Sequence, residues 1–312
     1  MLDGSVVVIG NFDGVHPGHQ AVIAEAKRLE PGLPLVVVTF WPHPVSVLHP
    51  DAPPMLLTSL DGRVEKLMAA GADRVEVIDF TRETAALSPT DFVAKVLTPL
   101  NPVRVVVGEN FRFGDRALGT VGTLRELGAG AFEVTALALV KYGDEEICST
   151  LIREALRVGD VTRAAHHLGR PFRFRGLVVH GDHRGRTLGF PTANLLVPDG
   201  IACPANGVYA GWMWRRDGLD EKGSLIVDGS LPPRWPAAIS VGTNPTFLDR
   251  GLRRVEAYVL GRDDLELYDA PVTVEFTEHI RPMVRFNSKE ELLARMNQDV
   301  VETRRILGLE AY

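Results

Sequence analysis

Cysteine is scarce in this chain, which has only Cys148 and Cys203 among 312 residues. Two thiols exclude a disulfide framework and a cysteine-rich metal cluster, and they are typical of proteins that work in a reducing compartment. The N-terminus also lacks a basic segment followed by an apolar core and a small-residue cleavage site. We therefore expect no secretion signal and a cytoplasmic location.

Long apolar runs and an excess of positive charge are also missing. The longest apolar runs, such as LPLVVVTF at 33–40, are far shorter than the roughly 20 residues that a membrane-spanning helix requires. The formal net charge of -6 argues against a broad basic face that binds nucleic acid. We therefore expect neither a membrane nor a nucleic-acid partner. An anionic ligand must then be bound by positive groups that are concentrated at its own site.

Up to about Gly169, apolar runs that favour β-strands alternate with helical stretches. The runs are VVVI at 6–9, LVVVTF at 35–40, RVEVI at 74–78 and VRVVV at 103–107. Continuous apolar strands separated by helices are typical of a parallel sheet that is covered on both faces. The first part of the chain is therefore predicted to be a doubly wound α/β domain.

From Phe172 onward the pattern changes to many short strands that are separated by Gly, Pro, Asn and Asp, with no helix between them. Such spacing predicts an antiparallel barrel or sandwich. The last stretch, from Ser288 to about Ile306, has helical spacing and begins with the capping pattern S-x-x-E. We predict two domains, 1–170 and 171–312.

The sequence GNFDGVHPGH at 10–19 lies between a predicted strand and a predicted helix. Gly14 and Gly18 allow the backbone to approach a ligand closely, and the N-terminus of the following helix attracts anions. His16 and His19 can then donate hydrogen bonds to phosphate oxygens. The loop is therefore a candidate site for a polyphosphate.

Two other interpretations of the histidines remain open at this point. Histidines in loops are often merely solvated, and two histidines can ligate a metal, although a pair three positions apart without a nearby cysteine is a poor ligand set. The dinucleotide fingerprint G-x-G-x-x-G and the P-loop pattern are both absent. A phosphate-binding protein that lacks both of these common motifs belongs to a smaller set of protein families.

Three further blocks follow the histidine motif, TFWPHP at 39–44, VGENFRFG at 107–114 and STLIRE at 149–154. In this order and spacing, the four blocks resemble the adenylyltransferase module of bacterial bifunctional riboflavin kinase/FAD synthetases. The resemblance implies a Rossmann-like HxGH nucleotidyltransferase domain. Such a domain joins AMP from ATP to FMN and releases pyrophosphate.

The resemblance also implies roles for individual residues of the first site. The residues implied at the ATP phosphates are the catalytic His16 and His19 together with Asn11, Gly14, Gly18, Ser149, Thr150 and Arg153. Hydroxyl, N–H and guanidinium groups at the start of a helix can hold a triphosphate. In an isolated S-T-x-x-R pattern, Arg153 would more often be an ordinary surface arginine, and the combination of the four blocks reverses that preference.

The block at 107–114 supplies the implied flavin-binding residues Asn110, Phe111 and Phe113. The alternative is that the two phenylalanines fill the core, the commoner fate of this residue type. Many relatives have an aspartate where this chain has Asn110. In TFWPHP, His43 either faces the ligand or belongs to a rigid turn that the prolines fix.

The segment VVHGDHRGRTLGFPTANL at 178–195 resembles the ATP and metal loop of the riboflavin kinase barrel. The residues implied at the ATP phosphates are Gly181, Arg184, Gly185, Arg186 and Gly189. A glycine-rich basic loop beside a strand is also by itself a plausible phosphate cradle. Thr192 and Asn194 offer the hard oxygen ligands that Mg²⁺ prefers, although a turn capped by an Asx hydrogen bond is the alternative.

Phosphorylation of an alcohol requires a base, and the resemblance implies Glu256, at an expected inward position of the strand RRVEAYVL. A strand glutamate that is simply solvated is the alternative. Two departures from the family pattern are visible, Asn244 where arginine is common and Asp269 where glycine is usual. Both bear on flavin or nucleotide contacts in the kinase.

The sequence therefore predicts an enzyme that makes FMN and then FAD from riboflavin and ATP. Mg²⁺ is the expected cofactor, riboflavin, FMN and ATP are the expected small-molecule partners, and a homo-oligomer is left open. The first alternative is a monofunctional FMN adenylyltransferase with an inactive kinase module. The second is a flavin-binding carrier or sensor without turnover.

Overall fold

The structure is a computed structural model that describes residues 4–142, 145–180, 189–218, 232–243 and 253–309. The chain forms two compact units. The first comprises Met1–Ser149 with Gly200–Ala202, and the second comprises Thr150–Asp199 with Cys203–Tyr312. This division falls before the two helices that precede the barrel, whereas the predicted boundary at 170 falls after them, and that boundary stays a prediction.

The first unit is built on a five-stranded parallel sheet with the strand order β3-β2-β1-β4-β5. Its strands are β1 (Ser5–Ile9), β2 (Leu35–Trp41), β3 (Arg74–Asp79), β4 (Pro102–Gly108) and β5 (Glu133–Leu137). A small antiparallel pair follows, β6 (Lys141–Tyr142) and β7 (Glu145–Glu146). The predicted doubly wound α/β fold is confirmed.

Helices connect the strands of the first unit. They are α1 (Pro17–Leu29), α2 (Pro44–Leu48), α3 (Leu60–Ala69), α4 (Arg82–Ala85), α5 (Pro89–Phe92) and α6 (Val121–Gly128), with a π-helical turn at Val93–Leu97 and 3₁₀ turns at Thr98–Leu100 and Asp115–Ala117. Serine hydroxyls cap α3 and α5: Ser59 accepts the N–H of Gly62 and Ser88 accepts that of Asp91. These caps fix where both helices begin.

Both faces of the sheet are buried. Along β1, Val7 and Ile9 pack into one apolar cluster, while Val6 and Val8 pack into the cluster on the opposite face. The strand order changes direction between β1 and β4, and in an open parallel sheet ligands gather beyond the carboxyl ends of the strands at that point. The loops that follow β1, β2 and β4 carry three of the four sequence blocks to this edge.

The second unit contains a closed antiparallel barrel with the strand order β10-β11-β12-β9-β8-β13. Its strands are β8 (Phe172–Val179), β9 (Thr192–Leu196), β10 (Gly207–Arg215), β11 (Trp235–Thr243), β12 (Arg253–Val259) and β13 (Pro271–Pro282). Its helices are α7 (Ser149–Val158), α8 (Val161–Leu168) and α9 (Lys289–Ile306). The predicted barrel with a C-terminal helix is confirmed.

The predicted capping pattern at the start of α9 is also observed. The Ser288 hydroxyl accepts the N–H of Glu291 at 3.1 Å, and the Glu291 carboxylate accepts the N–H of Asn287 at 2.9 Å. These two bonds satisfy backbone donors that the first turn of a helix leaves unpaired. The helix then packs against β10, β11 and β13 of the barrel.

Candidate active sites

The loop between β1 and α1 has an unusual backbone. Phe12, Gly14 and Val15 adopt the left-handed conformation, with φ of 52°, 85° and 45°. This region is easily accessible to glycine, but a bulky or β-branched residue adopts it only at a cost. Strain of this kind persists where the surroundings hold the backbone in place, and it clusters at functional sites.

The side chain of Asp13 holds the loop. It is 1% exposed, and its carboxylate accepts the N–H groups of Leu57 and Thr58 and the Thr58 hydroxyl at 3.0–3.1 Å. A fully buried arginine on α3, Arg63, places Nη2 3.5 Å from the same carboxylate. Asp13, Thr58 and Arg63 were not predicted as site residues from the sequence. A signal was present, because Arg63 shares the apolar face of α3 with Leu67.

His16 and His19 lie at the start of α1, where His16 is the N-cap residue and Pro17 occupies the first helical position. Their rings stack with centroids 3.6 Å apart. A Cβ atom on Gly18 would lie 3.2 Å from the His16 ring, so only glycine leaves full room for this packing. The predicted pairing of the two imidazoles at a helix N-terminus is therefore present.

The electrostatic environment keeps His19 neutral. Burial, the neighbouring His16 and the charge of Arg63 lower the pKa of His19 well below 6.5. Within the described residues, its buried Nδ1 atom has no hydrogen-bond partner. A buried polar atom without a partner is costly, so this atom is a candidate contact for a ligand.

Asn11 and His43 contact each other across the loops that follow β1 and β2. Nδ2 of Asn11 lies 3.0 Å from Nε2 of His43, whose Nδ1 accepts the N–H of Val45 at 3.2 Å. A neutral imidazole whose Nδ1 accepts carries its proton on Nε2. The contact is therefore a hydrogen bond only when the amide is turned so that its oxygen faces Nε2. The NH₂ group of Asn11 then points away from His43 as a donor.

The predicted flavin residues follow β4. Phe113 is 6% exposed and packs in the core, with its ring 5.4 Å from that of Phe92. The structure thus supports the core interpretation for Phe113. Phe111 stacks on it at 5.6 Å and is only partly buried, while Asn110 is exposed in the turn after the strand. These two residues keep the flavin role as a prediction.

The block STLIRE forms the start of α7, as predicted. The Ser149 hydroxyl donates to the backbone carbonyl of Asp13 at 2.9 Å, which brings this residue to the histidine loop. Thr150 and Arg153 follow on the same helix and belong to the second compact unit. Their contact with a triphosphate stays a prediction.

In the second site, Gly181, Arg184, Gly185 and Arg186 lie outside the described residues, as does Asn244. Gly189 is described and has φ of 82°, with no atom within 4 Å of a Cβ built on it. A side chain would have space there but would strain the backbone.

Asp269, one of the two departures named in the sequence analysis, has a backbone in the left-handed conformation with φ of 59°. Aspartate tolerates this conformation better than most residues that carry a side chain. Its N–H donates to the Val178 carbonyl at 2.9 Å. The barrel therefore keeps the backbone conformation that glycine favours at this position.

Glu256 lies on β12 directly opposite Asn194 of β9. The expectation that Glu256 points inward was wrong, because Val255 and Ala257 occupy the fully buried face of the strand. Glu256 lies on the other face and lines a cavity of about 210 Å³ between the barrel and α9. Thr192 lines the same cavity.

An ion pair forms part of the cavity wall. Arg281 on β13 binds both carboxylate oxygens of Asp299 on α9, with Nε–Oδ1 and Nη2–Oδ2 distances of 2.8 and 2.7 Å. Nε of Arg295 lies 3.5 Å from Asp299 Oδ1. Bidentate geometry of this kind is strong and directional. The pair attaches the helix to the barrel, and the sequence alone did not indicate it.

Thr192 and Asn194, the predicted metal ligands, offer a hydroxyl and a side-chain amide. Asn194 donates from Nδ2 to the Thr192 carbonyl at 3.1 Å, so its amide oxygen is not the atom used in this contact. No group of three or more His, Cys, Asp or Glu side chains suited to a metal occurs among the described residues. Mg²⁺ commonly uses only one or two protein oxygens, with phosphates and water completing its shell, and Thr192 and Asn194 fit that arrangement.

Two family models match the chain. Residues 1–151 match the FAD synthetase model and residues 168–307 match the riboflavin kinase model. No helix of the described residues is long and apolar enough to cross a membrane.

Similar proteins cover almost the whole chain. The bifunctional riboflavin kinase/FMN adenylyltransferase of Listeria monocytogenes is 36% identical over 96% of this chain and 91% of that protein. The protein of the same name from Escherichia coli K12 is 34% identical over 98% and 94%. A solved structure from Streptococcus pneumoniae, titled macrolide-efflux protein, has a TM-score of 0.84 and 32% identity over 96% of this chain and 94% of that chain.

Proposed function

This chain belongs to the family of bifunctional riboflavin kinase/FMN adenylyltransferases, and from that premise we propose how its two sites divide the work. The protein is a transferase that phosphorylates riboflavin to FMN and adenylylates FMN to FAD. The histidine loop of the first unit serves the second of these reactions. The cavity that Glu256 lines serves the first.

Adenylyl transfer needs no general base, because the phosphate of FMN is already ionised at neutral pH. Its oxygen attacks the α-phosphorus of ATP, the bond to the bridging oxygen breaks, and pyrophosphate leaves. The protein has to hold the phosphates and stabilise the charge that builds up on them. His16, His19 and the N-terminus of α1 supply donors for this purpose, and the NH₂ of Asn11 adds another.

We assign Ser149, Thr150 and Arg153 to the same triphosphate. The hydrogen bond from Ser149 to Asp13 supports this assignment for the first of them, since it places the start of α7 beside the histidine loop. For the flavin, Asn110 and Phe111 offer an exposed amide and a partly exposed ring after β4. Phe113 supports that ring from beneath rather than touching the ligand.

The kinase reaction does need a base, since a hydroxyl of riboflavin must lose its proton as it attacks the γ-phosphorus of ATP. The new bond joins that oxygen to phosphorus, and ADP leaves. Glu256 faces the cavity and is the proton acceptor in this proposal. Gly181, Arg184, Gly185, Arg186 and Gly189 are proposed to hold the ATP phosphates.

We propose Mg²⁺ as the metal of the kinase site, held by the Thr192 hydroxyl and the Asn194 amide oxygen. When bound, it neutralises the charge of the transferring phosphate. The positions of these two residues on β9, with Asn194 opposite Glu256, support this assignment. Both are hard oxygen donors.

The remaining assignments rest on composition. We propose a cytoplasmic enzyme whose partners are riboflavin, FMN and ATP, without nucleic acid. The boundary between its two domains is proposed to lie near residue 170 of the sequence. The low cysteine count and the net charge of -6 support location and partners. Light scattering of the purified protein measures whether it forms a homo-oligomer.

The observation that carries the proposal is the stacked histidine pair at a helix N-terminus, on a different architecture from the cavity that Glu256 lines. Chromatography of a reaction with riboflavin, ATP and Mg²⁺ tests it, and FMN should rise and then fall as FAD accumulates. FAD from added FMN but none from riboflavin would indicate the monofunctional alternative. Tight flavin binding without pyrophosphate release would indicate a carrier.

A further inference from the structure

Arg63 is the largest fully buried side chain of the described residues, with an exposed fraction of 0%. It lies on α3, outside the sequence blocks that carry the family resemblance. Burying a guanidinium is unfavourable unless other groups meet its charge and its donors. Its contacts therefore indicate which part of the molecule requires a cation there.

Those contacts join two segments of the carboxyl edge of the sheet. Nη2 lies 3.5 Å from the Asp13 carboxylate in the histidine loop. Nη1 donates to the carbonyl of Phe40 at 3.1 Å, near the end of β2. The guanidinium also lies over the Trp41 ring, 5.5 Å from its centroid. One side chain thus links the loop after β1 to the end of β2.

The histidine loop is held on both sides of its first left-handed residue. On one side, the Thr39 hydroxyl, 3.5 Å from Arg63 Nη1, donates to the Asn11 carbonyl at 3.0 Å. On the other side, Asp13 receives four hydrogen bonds from Leu57 and Thr58. The strained backbone at Phe12 lies between these two attachments.

We propose that Arg63 is a positioning residue for adenylyl transfer, which through Asp13 holds the histidine loop in its strained shape and places a fixed positive charge within electrostatic reach of His19. The proposal rests on the assignment of the histidine loop to this reaction. Arg63 does not contact substrate, because its side chain is fully buried. Its effect reaches the substrate through Asp13 and His19.

The charge of Arg63 acts at the ring of His19. Together with burial and His16, it lowers the pKa of that imidazole. His19 is therefore kept neutral beside a loop whose shape Arg63 holds through Asp13.

The test compares Arg63→Met, which has similar length and no charge, with Arg63→Lys, which keeps the charge. Arg28→Met on the exposed side of α1 is the matched control. Formation of FAD from FMN and ATP, formation of FMN from riboflavin, and the pKa of His19 by ¹⁵N NMR are measured for each variant. All measurements use the full chain.

For Arg63→Met we expect kcat/KM of the FAD-forming step to fall about 100-fold, because small misplacement of phosphate-binding groups costs that much. The pKa of His19 should rise, and the kinase step should stay within about twofold. Arg63→Lys should keep the low pKa of His19 and recover at least about a tenth of the lost activity. Arg28→Met should match the wild type in all three measurements.

A folded Arg63→Met protein with wild-type FAD formation would overturn the proposal, and so would lost activity with an unchanged pKa of His19. Should Arg63→Met not fold, Asp13→Asn replaces it, because its amide oxygen can still accept the N–H of Thr58. The same selective loss of FAD formation is then expected, and its absence counts against the proposal. A wild-type protein unable to make FAD would instead refute the assignment of the site itself.

Discussion

The imidazole rings of His16 and His19 lie face to face, with centroids 3.6 Å apart and planes inclined by 22°. Two imidazolium ions would repel each other strongly at this separation, so the doubly charged form of the pair is unfavourable. Arg63 adds a further positive charge nearby. Burial and these charges lower the pKa of His19, so that ring can donate a hydrogen bond as a neutral imidazole, and we propose that the N-terminus of α1 supplies the positive potential for a triphosphate.

Replacing His19 with alanine should abolish FAD formation and leave FMN formation intact. We expect kcat/KM for FMN and ATP to fall at least about 100-fold, because a donor aimed at the transition state is lost. The measurement is product chromatography with riboflavin and with FMN as separate substrates. His49→Ala, an exposed histidine of the same unit, is the control and should behave as the wild type. Equal loss of both activities in a folded His19→Ala protein would contradict the proposed division of labour.

The lowered pKa of His19 predicts how stability depends on pH. The unfolded chain takes up a proton near pH 6.5, whereas the folded protein resists protonation to lower pH. The contribution of this group is therefore fully present above pH 6.5 and is lost as the pH falls through the folded pKa, by up to about 1.4 kcal/mol per pH unit.

Calorimetry between pH 7.5 and pH 5.0 tests this prediction. The midpoint of thermal unfolding should fall less steeply with decreasing pH in His19→Gln than in the wild type, because glutamine does not titrate. His49→Gln should follow the wild type. Parallel pH profiles for wild type and His19→Gln would show that His19 does not keep a depressed pKa in the folded protein.

Much of the fold could be predicted because it depends on local patterns. The uninterrupted apolar run of β1 predicted that both faces of the strand are buried. Val7 and Val8 confirm this, because they pack into apolar clusters on opposite faces of the sheet. The capping pattern at Ser288 predicted the start of α9 to the residue. In both cases neighbouring residues carry the whole signal.

The parts of the site that escaped prediction depend on distant partners. Arg63 belongs to an amphipathic helix, where a charged residue is ordinarily solvated, and its partner Asp13 lies in a different segment of the chain. Side chains alternate between the two faces of β12, so the sequence places Glu256 on the face opposite to Val255 and Ala257. The sequence does not tell which of the two faces a ligand contacts. That depends on α9, which covers the outer face of the barrel and forms the cavity there.

Gly159 should be required for packing in the second unit. It has φ of 83°, and a Cβ atom would lie 2.9 Å from the hydroxyl oxygen of Tyr209. That hydroxyl donates to the Ala205 carbonyl at 2.6 Å, so it cannot move away freely. Gly159→Ala should lower the free energy of unfolding by about 2–4 kcal/mol, from backbone strain and overpacking together.

Gly261→Ala separates these two causes. Gly261 also has a left-handed backbone, with φ of 70°, but no atom lies within 4 Å of a Cβ built on it. Its substitution should lower the free energy of unfolding by about 1 kcal/mol, from backbone strain alone. Urea unfolding of both variants gives the comparison. Equal decreases in the free energy of unfolding would mean that the Tyr209 hydroxyl moves aside to make room for the added methyl group.

Breaking the ion pair between Arg281 and Asp299 should affect both stability and substrate binding. Asp299→Ala leaves the nearly buried guanidinium without its bidentate partner, and we expect a loss of about 3 kcal/mol in the free energy of unfolding. Because the pair joins α9 to β13 beside the cavity, KM for riboflavin should rise while FAD formation from FMN is unchanged. Glu302→Ala is the control, since it removes a carboxylate of the same helix that pairs with Arg305 rather than with the barrel. An unchanged KM for riboflavin would show that the cavity is not the flavin site of the kinase.

Glu256→Gln should stop the kinase while preserving adenylyl transfer. Glutamine keeps the size of the side chain but cannot accept the proton of an attacking hydroxyl, and loss of a general base typically costs about 10²–10⁴-fold in rate. We expect kcat for FMN formation to fall by that factor with little change in KM for riboflavin, since the cavity keeps its shape. Glu278→Gln, on an exposed part of β13, is the matched control and should retain both activities. Because Glu256 and Thr192 line one cavity, a variant that lost riboflavin binding rather than rate would assign this carboxylate to substrate recognition, and the base would then have to come from elsewhere.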